Sequence, residues 1–481
     1  MLIARAEIEG VAPLDVRVAG DAVVEIGAGI EPVGGETVLD AAGGALIPGL
    51  HDHHLHLFAL ARAASSVRCG PPEVRSPDGL ARALAAPPTS GTPRASGDWI
   101  RGVGYHESVA GELDRARLDA LVPDRPVRIQ QRSGALWVLN SCAIARLGLD
   151  AGADAPGVER DAVGRATGRL LGLDAWLRER IREPMPSLRD VGRRLARFGV
   201  TGVTDATVHN GRTELGAFVA AAERGDLPQR LLVMGARELP VPRHASVERG
   251  ALKLVLSERE LPDLDALRGR IELAHAEGRA VAVHCVTRVE LVLAASALAA
   301  AGARPGDRIE HAAVAPPDAV RLLAALPVTV VTQPHFIRER GDAYAIDVDE
   351  GDRPWLYRGR GFLRAGLRLG AGTDAPFGDP DPWLAMRAAC ERRTASGLVL
   401  GPDERLTPER ALALFSTPPH APGGVPRRIE VGARADLCLL DRPWSRARLE
   451  LSSELVAATV AGGALIWVRE TARTRTASVS A

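Results

Sequence analysis

Lysine is all but missing from this chain. Of the 60 basic side chains among its 481 residues, every one except Lys253 is arginine. At an exposed site the exchange matters little, because either residue supplies a solvated positive charge. It matters where a nitrogen must lose its proton: arginine stays charged, whereas a buried lysine can be driven neutral and act as a nucleophile. Lys253 lies in Gly250-Ala-Leu-Lys-Leu-Val-Leu256, an apolar run that reads as a buried strand. A lone lysine can also survive by chance, so its weight depends on its neighbours. Other absences narrow the function. The five cysteines are scattered without paired short spacings, which argues against a disulfide framework and for free thiols in a reducing compartment. The formal net charge is zero, so nothing steers the chain toward nucleic acid or an anionic membrane. No run approaches the ~18 apolar residues of a membrane span, and the N-terminus lacks a signal core. The expectation is a soluble, cytoplasmic protein acting on a small molecule, with homo-oligomerisation left open.

What is present is ordinary globular material, 46% hydrophobic and 25% charged. Both ends are strand-rich with glycine turns, which predicts one composite β-sandwich from residues 1–47 and 425–470. The tail 471–481 is rich in small polar residues and predicts disorder. Between the ends, apolar runs alternate with helical stretches. Eight runs stand out: 45–50, 200–207, 230–236, 251–257, 280–287, 308–315, 328–333 and 368–374. From the second onward their starts fall 20 to 40 residues apart, the size of a βα unit. This predicts an α/β fold, a (β/α)8 TIM barrel over 48–424 with its site at the C-terminal strand ends. The interval 57–186 is an insert with helical stretches, expected to form a lid.

The first barrel run ends Pro48-Gly-Leu-His-Asp-His-His-Leu-His56. If extended, His54 and His56 share one face and His51 and His53 the other. Two imidazoles ~6–7 Å apart along a strand can converge on one cation. His284 ends Ala280-Val-Ala-Val-His, His311 follows Arg308-Ile-Glu, and Asp374 closes Leu369-Gly-Ala-Gly-Thr-Asp. Singly, each histidine is as well read as a hydrogen-bonded core residue. Four histidines, an aspartate and the one lysine at the ends of separate strands form a metal constellation. Two neighbouring divalent ions repel, and a neutral lysine amine that captures carbon dioxide becomes a carbamate able to bridge them. Arginine cannot do this.

The pattern resembles the amidohydrolase superfamily of metal-dependent hydrolases, and most the branch of N-substituted formamide deformylases and related amidohydrolases. The likeness rests on Pro48–His56, Gly199-Val-Thr-Gly-Val-Thr-Asp205, Lys253, His284, His311, Gln333-Pro-His335, Gly372-Thr-Asp-Ala-Pro376 and the returning strand Gly432-Ala-Arg-Ala-Asp-Leu437. It implies a distorted barrel beside the sandwich and two divalent metal ions. Zinc suits histidine and carboxylate donors best, with iron, manganese or cobalt admissible. His54 and His56 would bind the buried metal, His284 and His311 the outer one, carboxylated Lys253 would bridge them, and Asp374 would ligate and move protons. His53 stands where the family often has serine. Ala135, within Arg132-Ser-Gly-Ala-Leu-Trp-Val-Leu-Asn140, stands where it commonly has histidine. Deaminases of the superfamily carry a glutamate three residues after the fifth-strand histidine. Thr287 occupies that position, which argues against deamination.

The function expected is hydrolysis of amide-type, non-peptide carbon–nitrogen bonds by a metal-bridging hydroxide, with Asp374 as general base and then acid. His335 is either a further hydrogen-bond donor or a cap on the seventh strand. Tyr105, His106, Trp137 and Asn140 are candidate substrate contacts in the insert, Trp137 being equally a packing residue. Asp205 is read as structural. Esters, lactones or phosphoesters on the same centre, and a non-catalytic scaffold, are the alternatives.

Overall fold

The computed structural model describes residues 1–86, 99–151, 155–181, 184–470 and 473–477. Eight parallel strands run in chain order around one sheet: β1 Leu50–Leu55, β2 Val200–Asp205, β3 Arg230–Gly235, β4 Val247–Val255, β5 Val281–Cys285, β6 Arg308–His311, β7 Thr329–Thr332 and β8 Arg368–Ala371. Their sequences are near-continuous apolar or β-branched runs because helices cover the outer face and side chains fill the inner one. The helix Arg288–Ala301 shows how each return is made. A Thr287–Glu290 capping box starts it, Leu291, Ala294, Ala295 and Leu298 form its buried stripe, and Gly302 at φ 75° ends it. The first and last strands meet beyond their ladders, where Asp374 N donates to His54 O at 2.6 Å and His56 N to Ala375 O at 2.8 Å.

The first apolar run divides between two sheets, which corrects the expected strand at 45–50. Leu46–Pro48 pairs antiparallel with Leu437–Leu440 outside the barrel, and β1 starts only at Leu50. Gly49 makes the hand-over: its N donates to Asp436 O, and a Cβ there would lie 2.3 Å from the Thr201 side chain. Leu46–Pro48 belongs to a four-stranded sheet with Leu437–Leu440, Val456–Ala461 and Ala464–Val468. A five-stranded sheet joins Leu2–Ile8, Val11–Ala19, Ala22–Gly27, Thr37–Asp40 and Arg473–Thr476. Ile3, Val16 and Leu39 of one sheet share a core with Leu437, Leu439 and Val460 of the other. The tail therefore departs from the expected disorder at 473–476, where the chain pairs with Thr37–Asp40 and covers that strand's edge. Residues 471–472 and 478–481 lie outside the described residues.

Phe58–Pro186 forms a separate compact unit. It holds a six-stranded sheet, Val67–Arg68, Ile100–Tyr105, Val127–Gln131, Leu136–Leu139, Ala166–Leu171 and Val158–Arg160 in spatial order, around its own apolar clusters. This sheet was not foreseen, because runs of four to six residues interrupted by arginine and glutamine carry little periodic signal. No helix among the described residues is long and apolar enough to cross a membrane.

Candidate metal centre

The C-terminal ends of the barrel strands bring the sequence-predicted donors together. Across the ladders Lys253 of β4 stands beside Ala282, and His284 of β5 beside Glu310. Four imidazoles form a continuous string: ring centroids are 5.4 Å apart from His56 to His54, 4.8 Å from His54 to His311 and 4.4 Å from His311 to His284. The Asp374 carboxylate lies against this string, with Oδ1 3.1 Å from His56 Nε2 and 3.4 Å from His54 Nε2. One donor atom each from His54, His311 and Asp374 lie within 4.8 Å of one another. This tightest set takes one histidine from each of the two pairs expected to hold separate ions.

Backbone conformation aims these groups. His311 and Asp374 have φ of 69° and 51°, in the left-handed region that residues with a side chain rarely enter. Such strain persists where surrounding contacts fix it, and at a strand end it turns a side chain out of the ladder's alternation. Asp52 braces the same corner. Its carboxylate accepts from His54 N and Thr373 N at 3.0 Å each and from Thr373 Oγ1 at 2.5 Å. His51 and His53, on the other face of β1, bond instead to Thr204 Oγ1 and Thr417 Oγ1, each at 2.9 Å.

Three of these imidazoles are held through Nδ1. His311 Nδ1 donates to Gln333 Oε1 at 2.7 Å, His56 Nδ1 meets Thr207 Oγ1 at 2.9 Å, and His54 Nδ1 bonds the Glu310 carboxylate. Nδ1 partners of this kind orient metal-binding histidines; with the proton on Nδ1, each Nε2 would offer its lone pair to a metal, those of His54 and His56 in place of their present approach to Asp374. Glu310 is itself fixed by Arg308, with Nε 2.7 Å from Oε1. Burial pushes the His284 and His311 pKa values down, His311 to about 3, so both rings are neutral and competent as ligands. Burial also opposes charge on His54, but Glu310 and Asp374 outweigh it and raise its pKa. Asp374, although buried, is held well below the usual carboxylate range by His54 and His56. Neutral imidazoles beside an ionised carboxylate are a donor set that a cation satisfies.

Lys253 is the test of whether such a centre fits. It is 3% exposed, and its Nζ has no hydrogen-bond partner. A buried ammonium without a partner is strongly unfavourable, and burial lowers the amine's pKa accordingly. An orphaned amine near His54, His284, His311 and Asp374 is one that divalent metal with a carbamate on Nζ would satisfy. The donor set fits.

The remaining candidates are placed differently. His335 is fully buried, and its Nε2 donates to Thr373 O at 2.9 Å. That bond ties the ring to the β8 loop, while the buried Nδ1 has no hydrogen-bond partner, so of the two readings of His335 this geometry favours the one that positions the strand end. In the insert, Asn140 is fully buried with all four hydrogen-bonding positions filled: Oδ1 accepts from Val127 N and Ala143 N, and Nδ2 donates to Val122 O and Arg125 O. It has nothing left for a substrate, so the substrate-contact reading is corrected to a helix cap. Tyr105 is buried and donates to Gly111 O, and Trp137 Nε1 donates to Asp174, with the guanidinium groups of Arg101 and Arg128 5.3 and 5.1 Å from its ring centroid. His106 meets Ser108 Oγ at 2.7 Å. Asp205 ties Leu57 N, Thr207 N and Asn210 Nδ2 together, a structural role. Glu310, Gln333 and Thr207 were missed as orienting groups. The signal for Glu310 was its i,i+2 spacing from Arg308 on one strand face. A groove of about 630 Å³ lies elsewhere, between Glu7, Ile47 and Trp444 of the sandwich and Leu412, and none of the donors lines it.

Comparison with known proteins follows this geometry. The amidohydrolase family model matches residues 37–467. The N-substituted formamide deformylase of Arthrobacter pascens is 27% identical over 90% of each chain. Among solved structures, an uncharacterised metal-dependent hydrolase from Pyrococcus horikoshii superposes with a TM-score of 0.70 at 22% identity, over 92% of this chain and 98% of that one. The atrazine chlorohydrolase TrzN of Arthrobacter aurescens, complexed with zinc, superposes at 0.53 with 14% identity, over 96% and 94%. The matched span begins in the N-terminal sheet and takes in every strand that bears a donor, so the chain belongs to the amidohydrolase family and is an enzyme of the hydrolase class.

Proposed function

We propose that this enzyme hydrolyses amide-type, non-peptide carbon–nitrogen bonds at a centre of two divalent ions bridged by carboxylated Lys253. The observation that carries this reading is the partnerless Lys253 amine among the histidine and aspartate donors. The name of the Arthrobacter pascens relative, a formamide deformylase, supports the bond type. The donor chemistry and the zinc bound by TrzN support zinc as the metal. His54, His56 and Asp374 would hold one ion and His284 and His311 the other. Bound there, divalent metal lowers the pKa of water and polarises a carbonyl.

The chain's own groups then divide the work. The neutral Nζ of Lys253 forms a bond to the carbon of carbon dioxide and releases a proton, leaving an anion where the sequence had a cation. Glu310, Gln333 and Thr207 keep the imidazoles in the tautomer that leaves Nε2 free. Asp374, ionised at neutral pH, accepts the proton of the attacking water at a carboxylate oxygen and returns it to the departing nitrogen. Asp52 and His335 hold the β8 loop through Thr373, and so hold Asp374 one residue on.

The test is Lys253→Arg. It keeps the charge and cannot form a carbamate, and the expected result is loss of activity by at least about 10³-fold, the scale of removing a principal catalytic electrostatic group. Native mass spectrometry of the wild type should show one added carbon dioxide that vanishes in the variant. Full turnover by Lys253→Arg on a panel of formamides, N-acyl amino acids, cyclic amides and esters would end the proposal.

A further inference from the structure

Arg340 is the unusual arginine of this enzyme. Several buried guanidinium groups make three or more hydrogen bonds: Arg308 to the Glu310 carboxylate and His53 O, Arg392 to the carbonyls of Leu356, Tyr357 and Leu400, Arg279 to those of Gly235, Ala236, Gly250 and Ala251. Arg340, half-buried on the helix Phe336–Asp347 that follows β7, has one acceptor, the carbonyl of Phe377. A guanidinium carries five N–H donors. No carboxylate among the described residues forms an ion pair with it. Neighbouring Glu339 accepts from Asp379 N instead.

Its surroundings tie it to the metal centre. The Arg340 guanidinium lies 4.1 Å from the Phe336 ring centroid, and Phe336 follows His335 in the chain. Phe377, whose carbonyl it holds, closes the turn that starts at Asp374 and sets its ring 5.6 Å from that of His56. Tyr344 and Tyr357 complete the patch, their hydroxyls 3.3 Å apart, and the charges felt by Arg340 are those of Asp374 and Glu339 beside these two phenols. Burial holds Tyr357 neutral, so it supplies no counter-charge. Fixed positive charge, spare N–H donors and phenolic hydroxyls beside aromatic walls are what recognises a carboxylate, which guanidinium binds through paired charge-assisted hydrogen bonds.

We propose that Arg340 receives an anionic group of the substrate, so that the preferred amides carry a carboxylate, N-acylated amino acids being the simplest. This rests on the amide-hydrolase reading above and adds the substrate class. Arg340 contacts the spectator carboxylate and takes no part in proton transfer.

The experiment uses matched pairs, N-formyl-alanine, N-formyl-leucine and N-formyl-phenylalanine against their neutral carboxamides, on metal-containing wild type, Arg340→Met and Arg340→Lys. The wild type is expected to favour at least one acid over its carboxamide by about 30-fold in kcat/KM, the size of a charge-assisted contact. The preference should lie mainly in KM, fall to near one in Arg340→Met and partly return in Arg340→Lys. A merely structural Arg340 would lower both members of a pair alike and leave the ratio. Binding of the non-hydrolysable N-methylsulfonyl-leucine and its carboxamide to the wild type, followed by calorimetry, reads the same contact without turnover or a stable variant. Equal affinity for the two, or a wild-type preference for neutral amides, overturns the assignment to Arg340 and leaves amide hydrolysis standing. No turnover of any amide, together with tighter binding of the acid, overturns the amide-hydrolase reading and leaves the anion site.

Discussion

At the residue scale, the centre depends on groups that never touch substrate. Glu310 is fully buried, accepts from His54 Nδ1 and neutralises Arg308. Glu310→Gln keeps the shape and removes the charge. It should weaken metal binding by about 10- to 100-fold, the usual effect of losing an orienting partner, read by competition against a chelator. Unaltered affinity would show that His54 needs no such support. The residues that the sequence singled out, and that the fold brings to one end of the barrel, were those whose identity carries the proposed chemistry: His54, His56, Lys253, His284, His311 and Asp374. Glu310 left only its spacing from Arg308, and Gln333 and Thr207 were not legible, because a hydrogen bond made across strands leaves no local pattern. Asn140 misled for the opposite reason: its place near a family segment suggested ligand contact, whereas its buried amide caps a helix.

At the scale of elements, the meeting of β1 with β8 is the critical joint. Gly372 sits where a Cβ would fall 2.4 Å from His54 N, so no side chain fits between the two strands. Gly372→Ala should destabilise the protein by about 1–3 kcal/mol or more through overpacking, measured by urea unfolding, and should reduce metal content in parallel. A variant as stable as the wild type would mean the strands part easily. Seven of the eight barrel strands were foreseen in place, since buried parallel strands announce themselves as apolar runs at βα spacing, and the first was set about five residues early. Their limits were less visible. The run at 45–50 straddles two sheets, and only the Pro48–Gly49 break marks the division.

At the scale of the whole molecule, the two chain ends depend on each other. Arg473–Thr476 pairs with Thr37–Asp40 and closes an edge of the five-stranded sheet. Truncation after Glu470 should lower the Tm by roughly 2–4 °C and promote association through the bared strand, visible by light scattering. A truncated protein of equal Tm that stays monodisperse would assign the tail no such role. Composition concealed this strand, because alternating arginine and threonine reads equally as a solvated tail.

The hand-over at Gly49 has a consequence for engineering. One residue separates a strand bonded to the far terminus from the strand that carries His54 and leads directly into His56. Any pull or slip in the outer sheet is therefore passed by a taut tether to the reactive centre. Grafting the barrel away from its companion sheets would leave that tether slack and the histidines adrift.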